Sequence, residues 1–294
     1  MSRRLQWERD GRDWPNRHAS RFVKAAGLRW HVQQLGTGPA VLLLHGTGAA
    51  THSWRGLAPL LARHFTVVAP DLPGHGFTDL PPSRRLSLPG MAEDVAALLH
   101  TLSIEPLVAV GHSAGAAVLA RMALDSAIAP RALASLNGAL LPLSGVPGRL
   151  FPPMAKLLAA TPLVPRVFAW RAGERAAVER LIRSTGSALE PAGTEYYARL
   201  VRSADHVGAT LAMMANWDLR PLQLDLPRLR VPLTLVVGTD DRTVPPSEAR
   251  RAKALVPSAR IVTLPGLGHL AHEERPEAVA ELLFGIAREA RLLR

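Results

Sequence analysis

The chain has 294 residues, 48% of them hydrophobic and 20% charged, which suits one large α/β domain or a core with an inserted subdomain. Its formal net charge of +11 rests on arginine, with only Lys24, Lys156 and Lys253 as lysines, and no compact basic run interleaved with aromatics marks a nucleic-acid binder. Cysteine is absent, which excludes disulfides and thiolate metal sites; no apolar run approaches the ~20 residues of a spanning helix, and Met1 to Asp10 lack the apolar stretch of a secretory signal. A cytoplasmic protein, at most peripheral to a membrane, is expected.

Residues 7–21 are polar and aromatic, with Trp14-Pro15-Asn16 in the middle, and read as an N-terminal arm laid over the domain. Leu28 to Leu35 is the first predicted strand, followed by the turn Gly36-Thr37-Gly38-Pro39. Val41 to Leu44 is short and wholly apolar, the pattern of a strand buried on both faces, and it ends in His45-Gly46-Thr47-Gly48. Trp54 to Arg63 has helical spacing. Phe65 to Ala69 is a second buried strand, leading into Asp71-Leu72-Pro73-Gly74-His75-Gly76. Met91 to Leu102 is amphipathic. Leu107 to Val110 is a strand, Gly115 to Asp125 a helix and Ala132 to Leu136 a strand.

That alternation predicts a mostly parallel, twisted sheet with helices on both faces. It breaks after Asn137: residues 138–220 are rich in proline, poor in strand-like runs, and carry helical patches such as Met154 to Ala160 and Glu174 to Ser184. Strands resume at Val231 to Gly238 and Ala259 to Leu264, and a helix from Pro276 to Leu293 closes the chain. The expected organisation is an α/β core in two parts, residues 1–137 (with the arm, 1–21) and 221–294, interrupted by a helical cap insertion at 138–220. There are no internal repeats and no low-complexity segment.

Between the fourth strand and its helix lies Gly111-His112-Ser113-Ala114-Gly115, the Gly-x-Ser-x-Gly pattern of a nucleophile elbow in the strand-turn-helix context that gives the pattern meaning. A serine hydroxyl needs a base, and the base an orienting carboxylate. In this architecture the chain order is Ser, then Asp or Glu, then His. Asp240-Asp241 follows the strand ending at Gly238, and His269 follows the strand ending near Leu264. Both sit where open α/β sheets build their sites, beyond strand C-termini. A developing oxyanion needs fixed donors; the backbone N–H of Ala114 and that of Thr47, in the loop after Val41 to Leu44, are the candidates. His45, His75 and His112 read as structural. Taken singly, His269 is also compatible with an ordinary surface-loop histidine and Asp241 with a helix cap.

Four stretches, from His45 to Gly48, Asp71 to Gly76, Gly111 to Gly115 and Gly238 to Pro245, together with Gly266-Leu267-Gly268-His269, resemble the α/β-hydrolase superfamily in the right order over nearly the whole chain. The resemblance implies the α/β-hydrolase fold and, since the acid lies three residues after the glycine and precedes a Val-Pro, selects Asp241 over Asp240. A serine nucleophile disfavours the branches that use aspartate there. More narrowly, Trp7 to Gly11, Asp13 to Arg17, Leu28 to Gln33 and His52 to Arg55 resemble the bacteriochlorophyll-biosynthesis hydrolases of phototrophic bacteria, described as magnesium-chelatase accessory proteins. That resemblance implies a role around tetrapyrrole metabolism and a functional association with magnesium chelatase, without fixing a substrate.

The expected activity is that of a serine esterase acting on a small-molecule ester, a carboxylated tetrapyrrole being one candidate, with no cofactor and no metal. A tetrapyrrole-binding accessory protein without turnover, and a general carboxylesterase with no pigment role, are the alternatives. Within the insertion, Leu140, Leu141, Leu143, Phe151, Met154, Phe168, Trp170, Met213, Met214 and Trp217 are candidates to line an apolar pocket, with more than half of them expected to form the insertion's own small core. Arg149, Arg166, Arg171, Arg175, Arg180 and Arg183 stand among them as candidate contacts for carboxylates, each singly more in keeping with a solvated helix face.

Overall fold

Strands buried on both sides read as near-continuous apolar runs, and Val41–Leu44, Val67–Ala69 and Val108–Val110 do so here, while Ser135 and Thr234 are buried polar positions of two further inner strands. The computed structural model describes residues 4–142 and 175–293. Eight strands, β1 (Ser20–Ala25), β2 (Leu28–Leu35), β3 (Ala40–Leu44), β4 (Thr66–Pro70), β5 (Val108–His112), β6 (Ala132–Leu136), β7 (Leu233–Gly238) and β8 (Arg260–Leu264), form one sheet in the order β1-β2-β4-β3-β5-β6-β7-β8. β2 runs antiparallel to both its neighbours, and every other pair is parallel.

The side-chain period of two divides each inner strand between two cores. Leu42, Leu44, Ala109 and Leu133 face one; Val41, Leu43, Val108, Val110 and Ala134 face the other. The first core is closed by α3 (Leu88–Leu102) and α4 (Ala114–Leu124), the second by α2 (Leu57–Leu61) and a C-terminal helix that starts at Pro276. Each fully buried leucine contributes about 1.5–3 kcal/mol relative to exposure.

The described residues between β6 and β7 include the helices α5 (Arg175–Ser184), α6 (Pro191–Val201), α7 (Ala204–Ala215) and α8 (Arg220–Asp225). They are followed after β7 by α9 (Pro246–Leu255), and after β8 by α10 (Ala271–Glu274) and α11 (Pro276–Glu289).

Several elements differ from the sequence expectations for identifiable reasons. The expected arm contains α1 (Trp7–Asp10) and runs into a strand, β1, that pattern alone does not reveal. β1 joins β2 through Ala26-Gly27, both at positive φ (51° and 73°), a two-residue hairpin turn in which alanine stands where asparagine is the usual signal. α3 begins three residues before Met91, because Ser87 caps it by accepting from the Gly90 amide and Pro89 is tolerated in the first turn. The expected helix at 54–63 divides into a 3-10 turn, Thr51–Trp54, and α2, with Gly56 between them. Leu140, Leu141 and Met213 belong to the main core beside α4 rather than to a separate core of the insertion, and Trp217 packs partly against it. Met214 is half-buried. Leu143, Phe151, Met154, Phe168, Trp170, Arg149, Arg166 and Arg171, and the helical patch at 154–160, lie outside the described residues.

Candidate active site

Parallel register brings the strand C-termini to one edge: Leu44 pairs with Gly111, His112 with Leu136, Leu136 with Val236 and Gly238 with Leu264. The loops that follow β3, β5, β6, β7 and β8 therefore meet. Between β3 and β5 the strand order reverses, which opens the crevice where such sheets place ligands.

Ser113 sits in that crevice at φ 51° and ψ −118°, a strained conformation of the kind that costs about 1–3 kcal/mol and persists only when its surroundings hold it. Three backbone bonds do so: its N–H donates to Leu136 (3.1 Å), and its carbonyl accepts from Ala116 (3.2 Å) and Ala139 (3.1 Å). The turn also needs bare backbone on either side. A Cβ on Gly111 would collide with the backbone of Ala116, and one on Gly115 with the carbonyl oxygens of Leu44 and His45. Ser113 occupies the N-cap position of α4, yet its hydroxyl is not spent on capping. The helix thus directs its positive end at the serine without consuming it.

Asp241 and His269 come together 28 residues apart in sequence: His269 Nδ1 lies 2.8 Å from Asp241 Oδ2. Asp241 is nearly fully buried and is held by further donors, the amides of Thr243 (2.7 Å) and Val244 (2.9 Å) on Oδ1 and the Asn137 side-chain amide (2.6 Å) on Oδ2. A carboxylate so placed accepts the Nδ1 proton of His269 and leaves Nε2 as the basic nitrogen. Asp240 instead is exposed, and its carboxylate accepts from the Thr239 hydroxyl. His269 is tied to the elbow by its neighbour: His112 Nε2 donates to the His269 carbonyl (2.9 Å), and the two rings lie 4.7 Å apart.

The loop after β3 backs onto the serine, a Cβ at Gly46 falling 2.9 Å from Ser113 Cβ. Thr47 and Ala114, the two candidate oxyanion donors, thus belong to segments in direct apposition. His45 holds this loop, its Nδ1 bonded to the Gly46 carbonyl (2.8 Å) and its Nε2 accepting from the Leu72 amide (2.9 Å). That arrangement needs a neutral ring, and burial lowers the His45 pKa. His75 bonds the Pro73 carbonyl.

Residue patterns did not reveal the layer around these groups. Asn137, left-handed at φ 47°, follows β6 directly and holds Asp241; its place at a strand C-terminus was the available signal. Residues 185–188, just after α5, brace both other loops. The Thr185 carbonyl accepts from Arg242 (3.1 Å) and His269 (3.4 Å), the Ser187 hydroxyl accepts from the Leu270 amide (2.8 Å), and Glu274 accepts from Gly268 (3.0 Å) and Ala188 (3.3 Å). Beyond His269, the buried Glu273 carboxyl pairs with Arg55 and accepts from Tyr197 of α6 (2.6 Å); burial pushes its pKa up to about 7 despite Arg55. No group of three or more His, Cys, Asp or Glu side chains among the described residues is arranged to hold a metal ion.

A mostly parallel eight-stranded sheet with one reversed strand, a glycine-flanked serine turn after β5 and helices inserted between β6 and β7 define the α/β-hydrolase fold. Residues 41–282 match the model of the alpha/beta hydrolase family, and the chain belongs to that family. Over 274 residues it is 37% identical to the magnesium-chelatase 30 kDa subunit of Rhodobacter capsulatus, a match covering 92% of this chain and 95% of that protein. It is 30% identical to the pyrrolizixenacetamide deacetylase of Xenorhabdus hominickii, over 84% of this chain and 90% of the deacetylase. Among solved structures, an α/β-hydrolase fold protein from Burkholderia ambifaria superposes with a TM-score of 0.77 at 25% identity, over 91% of this chain and 97% of that one.

Proposed function

We propose that the protein is a serine hydrolase that cleaves a carboxylic ester through an acyl-enzyme. The observation that carries this reading is the closed Asp241–His269 pair at the strand edge that also bears the Ser113 elbow. Ser113 Oγ attacks the acyl carbon while His269 Nε2 takes its proton. The oxyanion rests on the N–H groups of Thr47 and Ala114. Collapse expels the alcohol, protonated by His269, and a water activated by the same imidazole then releases the acid and restores Ser113. Residues 138–220 act as a cap over this centre, with 1–137 and 221–294 as the two parts of the core. Ser113→Ala and His269→Ala are each expected to lower p-nitrophenyl ester turnover on the order of 10⁴-fold with the fold intact. Ser113→Ala also abolishes fluorophosphonate labelling. Near wild-type rates in either variant overturn the assignment.

The physiological substrate we propose is an ester among the carboxylated tetrapyrroles of bacteriochlorophyll synthesis, handled in the cytoplasm in functional association with magnesium chelatase; the likeness to a relative named as a magnesium-chelatase subunit supports this reading. Arg175, Arg180 and Arg183 are exposed on α5, Arg183 beside Glu179. Guanidinium groups both pair with carboxylates and stack on flat rings. The same relative favours a second reading, a tetrapyrrole-binding accessory protein in which turnover is incidental. Tryptophan quenching by a dicarboxylate porphyrin and by its dimethyl ester tests the arginine contacts, equal and salt-insensitive affinity ruling them out. Tight porphyrin binding with a silent Ser113 favours the accessory protein; turnover that depends on Ser113 favours the hydrolase. The intermediate that accumulates in a deletion strain identifies the step.

A further inference from the structure

α7 lies over the loop after β3, and its contacts there are specific. His206, Thr210 and Met213 recur at helical spacing on one face. Met213 Sδ accepts from the Thr47 hydroxyl (3.7 Å), and Thr210 Cγ2 would lie 3.6 Å from a Cβ on Gly48. His206 is buried, and both its ring nitrogens are engaged. Nε2 donates to the Gly48 carbonyl (3.1 Å), while Nδ1 accepts from the Gly76 amide (3.2 Å). Gly48 belongs to the loop after β3, Gly76 to the loop after β4, and His206 to the insertion.

One ring thus joins three segments, and it needs one donor and one acceptor at once. Only a neutral imidazole supplies both. Burial holds it neutral, lowering its pKa to about 4. A side chain present only to fill space would need neither bond. The bonded carbonyl belongs to the residue after Thr47, and Gly48 is itself left-handed at φ 77°. Loss of the anchor therefore frees the chain next to the candidate donor.

We propose that His206 is a positioning residue that couples the seating of α7 to the geometry of the oxyanion loop, so that a developing oxyanion is stabilised only with that helix in place. This rests on the hydrolase reading above and names the part of the insertion that completes the site.

The test compares wild type, His206→Phe and His206→Gln on a short chromogenic ester, with rates taken per site titrated by fluorophosphonate, and with affinity for a boronic acid that forms a tetrahedral adduct on serine. In His206→Phe, kcat is expected to fall about 10- to 100-fold with KM within about threefold, less than or equal to the loss on deleting a donor outright. Boronate affinity should fall by the same factor as kcat. Glutamine, which offers a carbonyl and an amide together, should recover most of the loss. If His206→Phe does not fold, His206→Asn takes its place, keeping the acceptor but falling short of Gly48, with the same pattern expected. Unchanged kcat, or a kcat loss without loss of boronate affinity, or glutamine no better than phenylalanine, overturns the inference while leaving the hydrolase standing. Absence of Ser113-dependent turnover in the wild type overturns both.

Discussion

Asp240 and Asp241 are adjacent in the chain, yet only Asp241 turns inward to receive His269 Nδ1, Asn137 and two backbone amides. Asp241→Asn is therefore expected to lower kcat roughly 10⁴-fold by favouring the wrong imidazole tautomer, and Asp240→Asn to leave it within about threefold; the reverse ranking in steady-state kinetics would refute the register. Asn137→Ala removes one hydrogen bond to a buried carboxylate, worth about 1.5–3 kcal/mol. A 10- to 100-fold loss of kcat is expected, and an unchanged kcat would show that the backbone amides suffice. The chemistry-bearing residues were legible because each is forced into a local pattern: a serine between glycines, an acid a fixed distance past a strand, a histidine after Gly-x-Gly. Asn137, Ser187 and His206 carry no such pattern. Their partners are 104, 83 and 158 residues away in the chain, and only the folded topology brings them near.

At the scale of elements, the inner strands were readable because burial on both faces leaves few polar positions, such as Ser135 and Thr234, to interrupt their apolar runs. β1 was not, because an edge strand has mixed burial and its turn lacks the usual residues. The N-terminal stretch also does more than cover the sheet. Trp14 is almost wholly buried, donates from Nε1 to the Thr51 hydroxyl (2.9 Å), and touches the rings of His52, Phe77 and Tyr196. Thr51 in turn donates its amide to the buried Asp71, whose other oxygen meets His31 (2.8 Å) and the Phe77 amide (2.9 Å). Burial alone would raise the Asp71 pKa, but His31 and these donors hold it well below the usual carboxylate range. On the far side, Arg199 of α6 bridges to Asp13 and to the Asp10 carbonyl (both 2.6 Å). Trp14→Ala leaves a large cavity between core and insertion, and is expected to cost about 3–5 kcal/mol in denaturant unfolding. A loss below 1 kcal/mol would show that this stretch is an appendage.

For the whole molecule, the unusual quantity is buried imidazole. Eight of the eleven histidines are buried, and burial lowers the pKa of His45, His52, His75, His112, His206 and His272, to about 4 in His206 and about 3 in His272. A depressed histidine binds its proton in the unfolded chain first, so its contribution is present above pH ~6.5 and is lost as pH falls toward the folded value. Glu273, raised to about 7, acts in the opposite sense and takes a proton in the native state first, but it is one group against six. Each net proton changes stability by about 1.4 kcal/mol per pH unit. Urea midpoints should therefore drop steeply between pH 6.5 and 4.5, and a flat profile would show that these rings charge without unfolding the protein. The bridge from Asp13 to Arg199 spans 186 residues. On a ribosome adding ~5–20 residues per second, the N-terminal segment waits roughly 10–40 s after its synthesis before that partner exists. Through that interval Trp14 lacks the Tyr196 ring of α6 that it finally meets. Full enclosure of the Trp14 indole is thus a late event of biogenesis, complete only once α6 has been made.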